Sequence, residues 1–202
     1  MSNDSYKSES ICAISSPPGI GGVSLIRISG AESFSIAENI FSKSLKGNSG
    51  YQVLYGKIIE KKQIIDDVIV TVFKNPHSFT GENTVEINCH GSTFIQQKII
   101  ELLINNGARL ALPGEFSKRA FLNGKLDLSQ TEAIADLINS KSSAAHEIAI
   151  KQLKGGISSE LKILRNKLIE FASLIELELD FSEEDVEFAD RKHLNELIKD
   201  LI

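Results

Sequence analysis

Apolar and polar positions alternate with a period of two through much of the first half of the chain, whereas steps of three and four rule the second. Residues 10–15, rich in Ile, Cys and Ala, predict a strand covered on both faces. A Pro/Gly loop at 17–22 leads to VSLIRIS at 23–29, a second strand returning beside the first. Gly30 and Ala31 open a predicted helix to about Phe41, with Phe34, Ala37, Ile40 and Phe41 on one side, and residues 47–50 read as a turn. YQVLYGKIIE and IIDDVIVTVFK, separated by Lys61, Lys62 and Gln63, predict an antiparallel hairpin over 51–74. After the loop NPHSFTGEN, TVEINCH sends Val85, Ile87 and Cys89 to one face and Glu86, Asn88 and His90 to the other. A helix from Gly91 to about Asn106 carries the stripe Phe94, Ile95, Ile99, Leu102 and Leu103.

Residues 113–138 form a joint between these strands and an all-helical remainder. Pro113-Gly114 is a turn, 115–122 a short helix, and Asn123-Gly124 its stop, because Gly tolerates the left-handed conformation that helix ends require. Ser129 and Glu132 stand three apart and predict a capping box for the next helix. Beyond it, Ile150, Leu153, Ile157, Leu161, Leu164, Leu168, Phe171 and Ile175 make a near-heptad seam that calls for a partner helix, with a bend or break at Gly155-Gly156. A dense acidic stretch runs from Glu176 to Glu187, and a further amphipathic helix begins near Asp190. The chain stops at Leu201-Ile202 in an apolar run without a capping residue, which predicts a continuation and hence a truncated piece.

Composition narrows the function classes. With 42% hydrophobic residues the chain can build a core, and a net charge of -5 disfavours a broad grip on nucleic acid. The opening residues, up to about Glu9, read as a loose polar leader, and no run approaches the ~18 apolar residues of a membrane span. A soluble, cytoplasmic protein without a membrane role is expected. Cys12 and Cys89 form no CxxC pair, which suits a reducing compartment.

Candidate chemistry is sparse. The loop 17–22 could nest an anion, but GxxxxGK[ST] is absent from the chain and the pattern alone favours a plain turn. Arg27 lies in an apolar strand where it must be paired, so a structural salt bridge is the default. Glu86 could accept paired hydrogen bonds, one on each oxygen, from the amino-amide edge of a heterocycle; the plainer reading is a solvated sheet face. Lys125 follows a helix end, where a cation also complements the helix dipole. Cys89 and His90 are strand neighbours on opposite faces and cannot form a nucleophile–base pair. His77, His90, His146 and His193 have no metal-ligand spacing, so neither a metal site nor a catalytic residue is predicted.

PPGIGGVSLIRISG, SFTGENTVEINCHG, GARLALPGEFSKRAFLNGKLDLSQTEAIADLI and ELDFSEED, in that order, resemble the N-terminal part of the MnmE (TrmE) family of tRNA modification GTPases. The resemblance implies an α+β N-terminal domain, a mixed or antiparallel sheet with helices similar to the folate-binding domains of aminomethyltransferases, followed by an all-α helical domain. It divides the chain into a tetrahydrofolate-binding and dimerisation domain at 1–118 and the first part of the helical domain at 119–202. It further implies a folate of the 5-formyl- or 5,10-methylene-tetrahydrofolate type, with Arg27, Glu86 and Lys125 as its contacts. Which of the two cations meets the folate tail stays open. In the family a GTPase domain, with its GTP, Mg and K, is inserted beyond this stretch, and a C-terminal cysteine motif follows; this chain contains neither. Members work as homodimers with an FAD-dependent partner of the MnmG (GidA) type to install an aminomethyl-type group on carbon 5 of the tRNA wobble uridine. For this piece alone, tRNA binding should be weak or absent. Two alternatives stand beside this expectation: a non-enzymatic dimerisation and docking scaffold, and a nucleotide-binding enzyme using the loop 17–22.

Overall fold

The alternation of the first half gives each strand one apolar face, and those faces meet two helices. The computed structural model describes residues 9–45, 51–180 and 199. The leader before Glu9, the turn at 47–50, the later part of the acidic stretch and the helix near Asp190 lie outside the described residues. The chain divides into two compact units, Met1–Leu126 and Asp127–Ile202. The first unit holds β1 (Ile11–Ile14), β2 (Gly21–Ser29), α1 (Ser33–Glu38), β3 (Gln52–Glu60), β4 (Gln63–Phe73), β5 (Thr84–Gly91), α2 (Thr93–Asn105), β6 (Arg109–Leu110) and α3 (Glu115–Leu122). The second holds α4 (Leu128–Asn139), α5 (Ser143–Leu153) and α6 (Gly156–Asp180). A mixed sheet with helices followed by an all-helical region is the fold class expected from the sequence.

The sheet order is β3-β4-β5-β2-β1-β6, antiparallel throughout except for the parallel β1–β6 pair. Its inner face packs Ile26, Ile28, Val70, Val85 and Ile87 against Ile36 and Ala37 of α1 and Ile99, Leu102 and Leu103 of α2. The outer face keeps Val53, Tyr55 and Ile69 exposed. Lys61 and Lys62, with φ of 45° and 74°, form the tight β3–β4 turn, and Gln63 already pairs with Glu60. Two successive left-handed residues match the twist of a two-residue hairpin.

Several expectations need correction. α1 ends at Glu38, well short of Phe41, because Phe41 bridges to Ile58 and the Ile59 N–H donates to the Ile40 carbonyl at 2.8 Å. Sheet contacts there replace helical ones. Phe94 is 68% exposed, and Gln96 takes its place on the buried stripe of α2. Five residues of helix separate Phe94 from Ile99, a rotation about 140° off the shared face. The capping box is Asp127 with Gln130, not Ser129 with Glu132: the Gln130 N–H donates to Asp127 Oδ1 at 2.8 Å and the Asp127 N–H to Gln130 Oε1 at 2.9 Å. Both pairs have the right spacing, and the earlier start adds a helical hydrogen bond from the Thr131 N–H to the Asp127 carbonyl at 3.0 Å. β6 is a strand the pattern missed, since two residues carry no period. The break before α6 is present at Gly155, φ 80°.

Candidate functional site

Antiparallel register sets Arg27 of β2 directly opposite Glu86 of β5, in a row that also crosses Val53, Thr71 and Ala13. Facing residues in such a pair lie within side-chain reach. Arg27 Nε and Nη2 both donate to Glu86 Oε1, at 2.8 and 2.6 Å. The structural salt bridge considered for Arg27 is therefore present, and Glu86 is not a freely solvated face residue. Phe79, from the 74–83 loop, and Phe116, from α3, place their ring centroids 5.5 and 5.6 Å from the Arg27 guanidinium carbon. Both separations fall inside the ~6 Å reach of a cation–π contact.

What the pair leaves unused defines its chemistry. Glu86 Oε2 has no protein partner among the described residues, while Oε1 already accepts two N–H groups. A guanidinium offers five donors, and those of Arg27 not aimed at Oε1 are likewise unpartnered there. The pair keeps side-chain exposures of 21% and 19%, so a ligand can reach it. The recognition expected of Glu86, one hydrogen bond on each oxygen, does not match this arrangement. Glu86 presents a single open acceptor beside the Arg27 donors.

Lys125 sits just past α3, where Gly124 at φ 68° turns the chain and the Lys125 N–H donates to the Ala120 carbonyl at 2.9 Å. Its Nζ donates to the Pro76 carbonyl at 3.1 Å. No direct contact joins Lys125 to Arg27 or Glu86. Arg27 and Lys125 border the same loop, with Phe79 over Arg27 and Gly81 against Lys125. Gly81 has φ 76°, and a Cβ there would stand 3.0 Å from Lys125 Cγ, so a side chain would be strained in backbone and crowded in space.

The sequence did not reveal what holds this loop. Ser29 Oγ pairs with Thr80 Oγ1 at 2.7 Å and donates to Glu82 Oε2 at 2.8 Å, and Asn123 Nδ2 donates to the Thr80 carbonyl at 2.8 Å. Glu82 in turn meets Arg119 of α3 at 3.0 Å. The network continues from Arg119 to Glu115 at 3.7 Å, from Glu115 to Arg109 at 2.7 Å, and from Arg109 to Glu9 at 2.8 Å. Hydrogen bonds from Arg109 hold the Glu115 carboxyl below its ordinary range, against burial and with help from the Leu112 N–H. Arg109 is raised, chiefly by Glu115 and then by Glu9. The one readable signal was the i,i+4 spacing of Glu115 and Arg119. Elsewhere, Cys89 is buried with its thiol pushed up to about 11, mainly by desolvation, while His90 Nδ1 lies 2.6 Å from Asp66 Oδ1. The two neighbours do point apart.

Two family models cover nearly all of the chain: "GTP-binding protein TrmE N-terminus" at residues 10–125 and "MnmE helical domain" at 128–202. The chain belongs to the MnmE (TrmE) family. It is 52% identical over 195 residues to the tRNA modification GTPase MnmE of Porphyromonas gingivalis, covering 94% of this chain and 41% of that protein. Proteins of the same name from Parabacteroides distasonis and Flavobacterium johnsoniae are 55% and 54% identical over 194 residues, covering 93% and 94% of this chain and 42% of each relative. The chain thus spans about two fifths of the length of these MnmE relatives. Its two matched regions meet where the two compact units do, between Lys125 and Leu128. Among the described residues, no helix is long and apolar enough to cross a membrane.

Proposed function

We propose that this chain is the folate-binding and dimerising portion of a tRNA modification GTPase, with Arg27, Glu86 and Lys125 as the folate contacts. The observation that carries the reading is the Arg27–Glu86 pair, reachable from solvent, flanked by two aromatic rings and left with one acceptor and several donors unpartnered. Those groups fit a flat heterocycle with a polar edge, and Lys125 supplies a cation for an acidic tail. The folate, when bound, carries the one-carbon unit. The chain's part is to bind and orient it: the cross-strand pair fixes the ring edge, and the loop held by Ser29, Asn123 and Arg119 fixes Phe79 beside it. No residue here is assigned acid–base chemistry. In the parent protein the module would work as a homodimer in the cytoplasm, with an FAD-dependent partner of the MnmG (GidA) type, on the wobble uridine of tRNA. GTP hydrolysis, with Mg and K, would belong to a domain this chain does not include.

Calorimetric titration of the chain with 5-formyltetrahydrofolate tests the assignment. Binding should be measurable, and lost in the Arg27→Ala, Glu86→Ala double variant. Absent binding, or equal affinity in that variant, overturns it. A second reading, a scaffold for dimerisation and docking only, draws on the exposed outer sheet face at Val53, Tyr55 and Ile69. Dimers in sedimentation without folate binding would select that reading.

A further inference from the structure

We infer that Glu82 and Arg119 are positioning residues for the candidate site: their buried ion pair, joined by Ser29, sets the two aromatic rings beside the Arg27 guanidinium without itself meeting a ligand. This rests on the folate reading above and adds to it the residues that hold the site in shape.

Three separate stretches of chain supply the site, and one carboxylate joins the same three. Arg27 comes from β2, Phe79 from the 74–83 loop and Phe116 from α3. Glu82 follows Phe79 by three residues, Arg119 follows Phe116 by three, and Ser29 follows Arg27 by two. Arg119 is thus one helical turn from Phe116, and Ser29 shares the face of β2 that carries Arg27. The Glu82 carboxylate gathers all three stretches: Arg119 Nη1 donates to Oε2 at 3.0 Å and to Oε1 at 3.2 Å, and Ser29 Oγ donates to Oε2 at 2.8 Å. A shift of the loop against α3 at this joint is passed to rings only three residues away. Those rings have little room to move. At 5.5 and 5.6 Å from the guanidinium carbon they stand near the ~6 Å limit of a cation–π contact, so a displacement of about 1 Å takes them out of range. The pair cannot act by contact with a ligand, because the Arg119 and Glu82 side chains are 6% and 14% exposed and Arg119 Nη2 is spent on the Glu9 carbonyl at 2.8 Å. Desolvation makes such a pair a weak source of net stability, but either charge alone would be left unpaired, which ties loop and helix to one arrangement.

Two conservative variants test the role on the whole chain. Glu82→Gln keeps the shape and loses the charge, whereas Arg119→Lys keeps the charge and loses the fork. The ligand-free readout is the Arg27 Nε–H resonance in NMR, which the ring currents of Phe79 and Phe116 displace. In both variants it should move toward its position in the Phe79→Ala, Phe116→Ala double variant. Ser29→Ala, which takes one hydrogen bond from the joint, should move it the same way by less, and it serves as the test where circular dichroism shows a charge variant unfolded. Calorimetric affinity for 5-formyltetrahydrofolate should fall on the order of tenfold in Glu82→Gln and in Arg119→Lys. With both rings already removed, Glu82→Gln should weaken binding by less than about twofold more, since the pair acts through the rings. A resonance that stays in place in the folded variants, or losses that simply add, overturns the positioning role. If the resonance moves as expected and wild-type protein binds no folate, the positioning role stands and the folate reading falls.

Discussion

In the unit ending at Leu126, Ile26, Ile28, Val85, Ile87, Ile99 and Leu103 are at most 1% exposed. In the unit beginning at Asp127, the only buried hydrophobic residues among the described residues are Ala133, at 0%, and Ala149, at 2%. The seam of α6 stays open, with Leu161 58%, Leu164 40%, Leu168 49% and Ile175 38% exposed. A half-covered sheet can recruit its second layer from its own connections, as α1 and α2 do here. A helix with a near-heptad stripe has one narrow face and needs another helix at a matching crossing. A Leu left about half exposed forgoes about half of the roughly 1.5–3 kcal/mol that full burial gives. The sheet unit is therefore stabilised from within, while the helical unit gains little from burial among its described residues.

The largest test of that contrast is Arg119→Ala. It removes a 5%-exposed cation from the partly buried Glu82, which then keeps only the Ser29 hydroxyl, and from Glu115, which keeps Arg109, and should cost about 3 kcal/mol in urea unfolding. A loss under about 1 kcal/mol would mean that water already screens the network. Next, Ile87→Ala should cost about 2–5 kcal/mol, whereas Leu164→Ala on the open seam should change stability by about 0.5 kcal/mol. Equal losses at both positions would break the comparison by showing the seam covered in solution. A smaller effect than at Ile87 is expected at the α4 cap. Asp127→Ala should cost about 0.5–2 kcal/mol, read as lost helicity. The Ser158 hydroxyl first, and then the Gln130 N–H, hold the Asp127 carboxyl below its ordinary value. A depressed carboxyl contributes fully above its unfolded-state pKa and loses that contribution as pH falls through the folded one. Helicity lost on acidification below about pH 4 should accordingly shrink in Asp127→Asn. An unchanged acid profile would remove Asp127 from the account.

How much was legible follows from the range of each interaction. The β5 alternation of Val85, Ile87 and Cys89 appears in the burial as read, because a period of two is local and one face is covered. The reach of α1 was overestimated because the competing partner of Phe41, Ile58, lies in a distant hairpin. Asp127 with Gln130 and Ser129 with Glu132 have equal spacing, and only the added helical hydrogen bond from the Thr131 N–H separates them. At the candidate site, Arg27, Glu86 and Lys125 could be named from family motifs. That Arg27 and Glu86 stand opposite each other could not be, since it depends on the register between two distant strands. Phe79 and Phe116 were read as loop and helix residues, and nothing local marks a ring as belonging over a guanidinium from another strand.

The sheet's two margins bear on self-association. An unpaired edge is a template on which further chains can stack into open-ended aggregates. Here one margin is β6, only two residues long. The other is β3, and its far portion is occupied by the segment after α1, through the Phe41–Ile58 bridge and the Ser42 N–H donating to the Lys57 carbonyl at 2.9 Å. The early end of α1, which looked like a shortfall of helix, also closes off part of a surface from which fibrous growth could start.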